Sequence, residues 1–158
     1  MVTIRRATQA DAQLIFDFII ELAVYEKARH EVVTSVEEIR HTLFGPDAKA
    51  HALVCEDAGQ PVGYAVYFYN YSTWLGRNGI YLEDVYVSPP HRRKGAGRAM
   101  LKHIAAIAVA EQCGRFEWSV LDWNQPAIDF YESLGARPQS EWTIYRLTGD
   151  ALARFAAD

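Results

Sequence analysis

The chain has 158 residues, half of them apolar and 23% charged, and sixteen basic against twenty acidic side chains leave a net charge of −4. That length suits one domain over residues 1–158, and the acidic balance excludes a generally basic nucleic-acid binder. Mean hydropathy is −0.13, and no apolar run reaches the roughly 18 residues of a membrane helix, so neither nucleic acid nor membrane is an expected partner.

The first residues, Met1 to Arg6, lack the apolar stretch of a signal peptide. The two cysteines, Cys55 and Cys113, form neither a metal-ligand spacing nor a disulfide framework. A reduced, cytoplasmic protein without a metal is expected. Val2 to Arg6 alternates and predicts a strand. Thr8 and Asp11 form a capping box ahead of Leu14, Ile15, Phe18, Ile19 and Leu22, whose spacing predicts a helix to about Tyr25. Thr34 and Ser35, with Glu37 and Glu38, cap a second helix that stops near Gly45 and Pro46. Strands follow at Ala50 to Glu56, Val62 to Tyr71 and Ile80 to Val87, separated by turn residues at 57–60 and 76–79; they suit an antiparallel meander. Ser88-Pro89-Pro90 ends the third, because proline cannot donate to a ladder. Met100, Leu101, Ile104, Ala105 and Ala108 predict a helix to about Gln112. Phe116 to Leu121 predicts a strand. Asn124, Pro126 and Gly135 punctuate a further helix, and Trp142 to Leu147 a last strand. The order β-α-α-β-β-β-α-β-α-β makes an α+β fold with one mixed sheet flanked by helices, in which Ile80 to Leu121 would form a parallel crossover.

Arg92-Arg93-Lys94-Gly95-Ala96-Gly97 lies between a strand and a helix, where backbone N–H groups lack partners and the helix dipole favours an anion. From Ser88 to Ala110 there are five basic residues, Arg92, Arg93, Lys94, Arg98 and Lys102, and no acid. The loop is neither a P-loop nor a dinucleotide fingerprint: it lacks the Lys-Ser/Thr of the first and the third glycine of the second. A solvated basic turn is the plain alternative, but the acid-free setting favours a phosphate-sized anion.

This loop resembles the Arg/Gln-x-x-Gly-x-Gly/Ala signature of the GCN5-related N-acetyltransferase (GNAT) superfamily. Asn124-Gln125-Pro126-Ala127-Ile128-Asp129-Phe130-Tyr131, running on to Gly135-Ala136, resembles that family's Asn-x-x-Ala-x-x-Phe-Tyr helix. Glu21-Leu22-Ala23-Val24-Tyr25-Glu26, Tyr81-Leu82-Glu83-Asp84-Val85-Tyr86-Val87 and Trp123-Asn124-Gln125-Pro126 are similar to its diamine/spermidine/spermine branch, which also holds thialysine acetyltransferases. The likeness covers about Ile4 to Leu147. It implies the GNAT fold, acetyl-CoA as cosubstrate and a homodimer. The acceptor implied is a primary amine of a small diamine or polyamine, with thialysine or an amino acid as the alternative. A non-catalytic acyl-CoA-binding module is a third reading, against which Glu83 and Tyr131 both speak.

The resemblance also implies roles. Residues 92–98 (Arg92, Arg93, Lys94, Gly95, Ala96, Gly97 and Arg98) hold the pyrophosphate. Val85, Tyr86 and Val87 offer backbone to the pantetheine arm as an added strand would, and Asn124, Gln125 and Pro126 adjoin the cosubstrate. Tyr131 is the acid that protonates the leaving thiolate and also touches the cosubstrate; packing with Ala127 and Leu134 is its plain alternative. Glu83 relays the amine proton, a task with a clear size: a primary amine has a pKa near ~10.4, so its free base at pH 7 costs roughly 4.6 kcal/mol. Tyr25, Glu26, Glu83, Asp84, Glu117, Trp118 and Ser119 are the implied substrate contacts. For Tyr25 and Glu26, an ordinary exposed acid beside a tyrosine is an equal reading. Strand alternation places Glu83 and Asp84 on opposite faces. Trp74, Tyr69 and Tyr71 suit packing or a dimer contact as well as an amine channel. His91 and His103 are expected at the surface, and Cys55 in the core.

Overall fold

The computed structural model describes residues 1–157. They divide into two compact units, one from Met1 to Ser119 and one from Val120 onward. The first holds β1 (Val2–Arg6), α1 (Ala12–Tyr25), α2 (Val36–Phe44), β2 (Ala50–Asp57), β3 (Gln60–Ser72), β4 (Arg77–Val87), α3 (Ala96–Ala110) and β5 (Phe116–Trp118). The second holds α4 (Gln125–Ser133) and α5 (Gly149–Ala157).

The five strands form one sheet in the order β1-β2-β3-β4-β5. The first four run antiparallel to their neighbours, and β5 pairs parallel to β4. One face of the sheet (Ala52, Val54, Tyr64, Val66 and Tyr86) packs with Ile15 and Phe18 of α1, and Ile39, Leu43 and Phe44 of α2 border that cluster. On the other face α3 buries Met100, Leu101, Ile104 and Ala108. A Cβ on Gly63 would stand 3.3 Å from the Met100 methyl.

The local signals perform as their chemistry dictates. The Thr8–Asp11 box forms, with the Thr8 N–H donating to Asp11 Oδ2 at 2.7 Å, although it caps a 3₁₀ turn that leads into α1. Arg5 clamps that turn to β2, donating to both Asp11 oxygens at 2.8 and 2.9 Å and to Glu56 at 2.6 Å. This guanidinium holds the Asp11 carboxyl below the usual carboxylate range. The Ser35 hydroxyl accepts from the Glu38 N–H and opens α2.

Three expectations need correction. Trp142 to Leu147 is no strand: the alternation supplies only a side-chain pattern, and among the described residues it pairs in no ladder. The strand expected over Phe116 to Leu121 stops at Trp118, where its pairing with β4 ends. Glu83 and Asp84 do not simply alternate. Val66 pairs with Asp84 but Tyr67 pairs with Leu82, so Glu83 is the extra residue of a β-bulge. The bulge resets the phase of β4: Asp84 shares the α1 face with Tyr64 and Tyr86, while Leu82 turns to the other side.

Candidate active site

Within the first unit, β4 and β5 pair only over Ile80–Leu82 and Phe116–Trp118. From the bulge at Glu83 to Val87, β4 keeps its partner β3 but pairs with no strand on the opposite edge among the described residues. Such an edge offers a row of backbone groups to an extended ligand. Val85 lies in its middle. The Val87 carbonyl already accepts from Arg92 Nε at 2.8 Å, and the Tyr86 side chain is buried against Phe18, so Tyr86 contributes backbone only.

Just beyond this edge the chain turns into the basic loop. Arg93 and Gly95 take φ values of +65° and +85°, a left-handed geometry that turns successive N–H groups into a concavity suited to an anion. The first intrahelical bond of α3 is Ala99 N–H to Gly95 O at 2.9 Å, which leaves the N–H groups of Ala96, Gly97 and Arg98 ahead of it. A Cβ at Gly95 would meet nothing within 4 Å, and one at Gly97 only Val87 Cγ2 at 3.9 Å. The glycines therefore leave room over the amides. Arg93, Lys94 and Arg98 are exposed around it.

Arg92 is placed differently. Its guanidinium lies 4.9 Å from the Tyr25 ring centroid and 5.3 Å from that of Tyr86. With the bond to Val87, it pins the end of α1 to the end of β4. Glu21, to which the sequence assigned no role of its own, helps by accepting from the Ser88 hydroxyl at 2.9 Å. His91, expected at the surface, has its Nδ1 buried without a partner among the described residues.

On the α1 face the bulge gathers an acidic group. The Tyr64 hydroxyl donates to Asp84 Oδ2 at 2.6 Å. Burial raises the Asp84 carboxyl, against the opposing effect of that bond. Burial, and then the Asp84 charge, raise Glu26 at the end of α1. Burial also lifts Tyr64 well above the ordinary phenol value. Tyr25, Glu26, Glu83 and Asp84 thus collect at one end of the sheet. Glu117 and Ser119 sit further along: Glu117 accepts from Asn70 at 3.4 Å, and the Ser119 and Tyr81 hydroxyls are 2.6 Å apart. Trp118 stacks edge-on with Phe116 at 4.9 Å.

In the second unit, the Asn124 side chain accepts from the Ala127 N–H at 3.3 Å and starts α4, with Pro126 in its first turn. Gln125 and Pro126 are exposed, and Tyr131 is partly buried beside Phe130 at 5.7 Å.

A strand freed on one edge at a bulge, running into an amide cradle at a helix start, has the backbone donors and acceptors that an extended, phosphorylated ligand needs. The chain belongs to the acetyltransferase (GNAT) family, whose sequence profile matches residues 17–136. It is an acetyl-CoA-dependent N-acetyltransferase. It is 42% identical to a thialysine N-epsilon-acetyltransferase of Sus scrofa, over 98% of this chain and 97% of that protein. It is 32% identical to the spermidine/spermine N(1)-acetyltransferase-like protein 1 of Homo sapiens, over 97% of this chain and 23% of that longer protein. Among solved structures, an integron cassette protein of V. cholerae superposes with a TM-score of 0.83 at 27% identity, covering 99% and 98% of the two chains. No helix of the described residues is long and apolar enough to cross a membrane.

Proposed function

We propose that the protein acetylates the side-chain amine of a small, thialysine-like amino acid, by direct attack in a ternary complex. The observation that carries this reading is the bulge: it sets Glu83 where β4 and β5 part, at the start of the unpaired edge and beside Asp84, which in turn lies near Glu26. The 42% identity to a thialysine enzyme favours the amino acid over a polyamine; the 32% match to a spermidine/spermine relative keeps the polyamine as the second reading.

The amides of residues 93–98 receive the pyrophosphate, with Arg93, Lys94 and Arg98 around them, and the edge at Val85 receives the pantetheine arm. Acetyl-CoA supplies an acetyl group activated as a thioester. Glu83 takes the proton of the attacking ammonium through water, and the free amine forms the new C–N bond. Tyr131 donates its proton to the sulfur as the C–S bond breaks, and the second proton lost by the acylated nitrogen restores the Tyr131 hydroxyl through solvent. A backbone N–H near Val85 is suited to polarise the thioester carbonyl. Glu26 and Asp84 attract the second positive charge of the acceptor.

We read the two units as one catalytic domain, since the family match runs from the first into the second and the thialysine relative aligns with 98% of the chain. A homodimer belongs to the same reading: Tyr71, Trp74 and Leu75 are exposed at the β3–β4 turn, where a second copy would cover them. The free thiols of Cys55 and Cys113 suit a reduced cytoplasm. The test is thiol release from acetyl-CoA with thialysine, ornithine, putrescine and spermidine as acceptors. Thialysine should give the highest kcat/KM. Higher values for both polyamines would reverse the choice of acceptor, and no thiol release with any of them would end the reading.

A further inference from the structure

The Tyr64 phenol is the least expected polar group on the α1 face. The residue is wholly buried. Its ring stacks on Phe18 at 5.6 Å with an interplanar angle of 3°, and its backbone pairs between Val54 and Tyr86 in the middle of the sheet. Packing alone would be served by phenylalanine. The hydroxyl instead reaches Asp84 Oδ2 at 2.6 Å.

Asp84 has no cationic partner among the described residues, and neither has Glu26. Arg92, a cation packed against this end of α1, is engaged with two rings and the Val87 carbonyl. A half-buried carboxylate without a counter-charge tends to keep its proton and is free to rotate. Tyr64 opposes both tendencies. A short bond from a rigid donor favours the ionised form and fixes the carboxylate plane, leaving Oδ1 open.

We propose that Tyr64 is a positioning residue for specificity: it holds Asp84 so that the site prefers an acceptor with a second positive charge over a simple monoamine. The proposal rests on the functional reading above. It adds a residue that touches neither cosubstrate nor reacting atoms.

The experiment compares two acceptors that share the aminoethyl thioether end. Thialysine carries the α-ammonium, and 2-(ethylthio)ethylamine lacks it. The readout is the ratio of their kcat/KM values in wild type, Tyr64→Phe, Asp84→Asn and the double variant. Tyr64→Phe should lower the thialysine-to-monoamine ratio about tenfold, mainly through the KM of thialysine. Asp84→Asn should lower it at least as much, and Tyr64→Phe should add little once Asp84 is gone. Equal losses for both acceptors would make Tyr64 merely structural and overturn the proposal, as would an unchanged ratio or independent, additive effects. If Tyr64→Phe does not fold, the Asp84→Asn ratio decides, and a wild-type ratio there refutes the idea. A wild type that acetylates neither amine removes the functional reading along with it; a wild type that prefers thialysine, with variants that keep the preference, removes only Tyr64.

Discussion

Replacing Arg92 by methionine separates two roles that one side chain could play. Methionine keeps an apolar stem about as long as that of arginine up to Nε but removes the guanidinium, with its charge and its donors. The guanidinium lies over Tyr25 at 4.9 Å and Tyr86 at 5.3 Å and donates to Val87 O at 2.8 Å. Partly exposed cation–π contacts contribute about 0.5–1 kcal/mol each, and a hydrogen bond from a charged donor about 1.5 kcal/mol at the low end. One group makes all three, so they are not additive, and a loss of about 2–3 kcal/mol is expected. For a chain of this size that corresponds to a fall in Tm of roughly 4–12 °C. Thermal melts by circular dichroism would measure it, and calorimetric titration with acetyl-CoA would measure the cosubstrate. Lys94→Met, at an exposed loop position, is the comparison: it should weaken acetyl-CoA binding with little change in Tm. An Arg92→Met protein that melts like wild type, yet binds acetyl-CoA more weakly than Lys94→Met, would show that Arg92 is an anion ligand and that the pinning argument is wrong.

Tyr131→Phe should lower kcat roughly 10²-fold while calorimetry still detects acetyl-CoA binding; wild-type turnover would leave positioning alone to explain the rate. Glu83→Gln should lose most kcat/KM near neutral pH and progressively less as pH approaches the amine pKa, so a wild-type pH profile would remove Glu83 from proton transfer. Gly97→Trp should abolish acetyl-CoA binding in a folded protein, because a bulky side chain fills the space over the loop amides; unchanged affinity would move the pyrophosphate elsewhere. Asp11 is held below its ordinary pKa by Arg5, so its contribution is complete above the unfolded value near ~4 and fades as pH falls through the lower folded one. Asp11→Asn should therefore cost about 1–2 kcal/mol in urea melts at pH 7, discounted for the partly exposed Arg5, and the gap to wild type should narrow below about pH 4; a gap independent of pH would contradict the ion pair.

The sequence by itself determined what depends on neighbours along the chain. Ser35 and Asn124 cap helices because a short polar side chain reaches an N–H three residues on. The loop at 92–97 is legible for the same reason: a strand end, positive-φ geometry and a helix start are consecutive. The acidic run at Glu83 and Asp84 was visible too, but its arrangement was not. Only the tertiary structure set the bulge, because it exists in the register between Val66/Tyr67 and Asp84/Leu82, pairs that lie far from the turn joining the two strands. The parting of β4 from β5 after Leu82 is likewise a pairing event between distant segments. Arg92 reads as one more loop cation until α1 brings Tyr25 beneath it. Trp142 to Leu147 carries a strand's alternation without a ladder, and α5, which starts at Gly149, went unread although Leu152 and Phe155 stand one turn apart. Side-chain periodicity records which face of a segment is apolar; which backbone edge it meets is set by the rest of the chain.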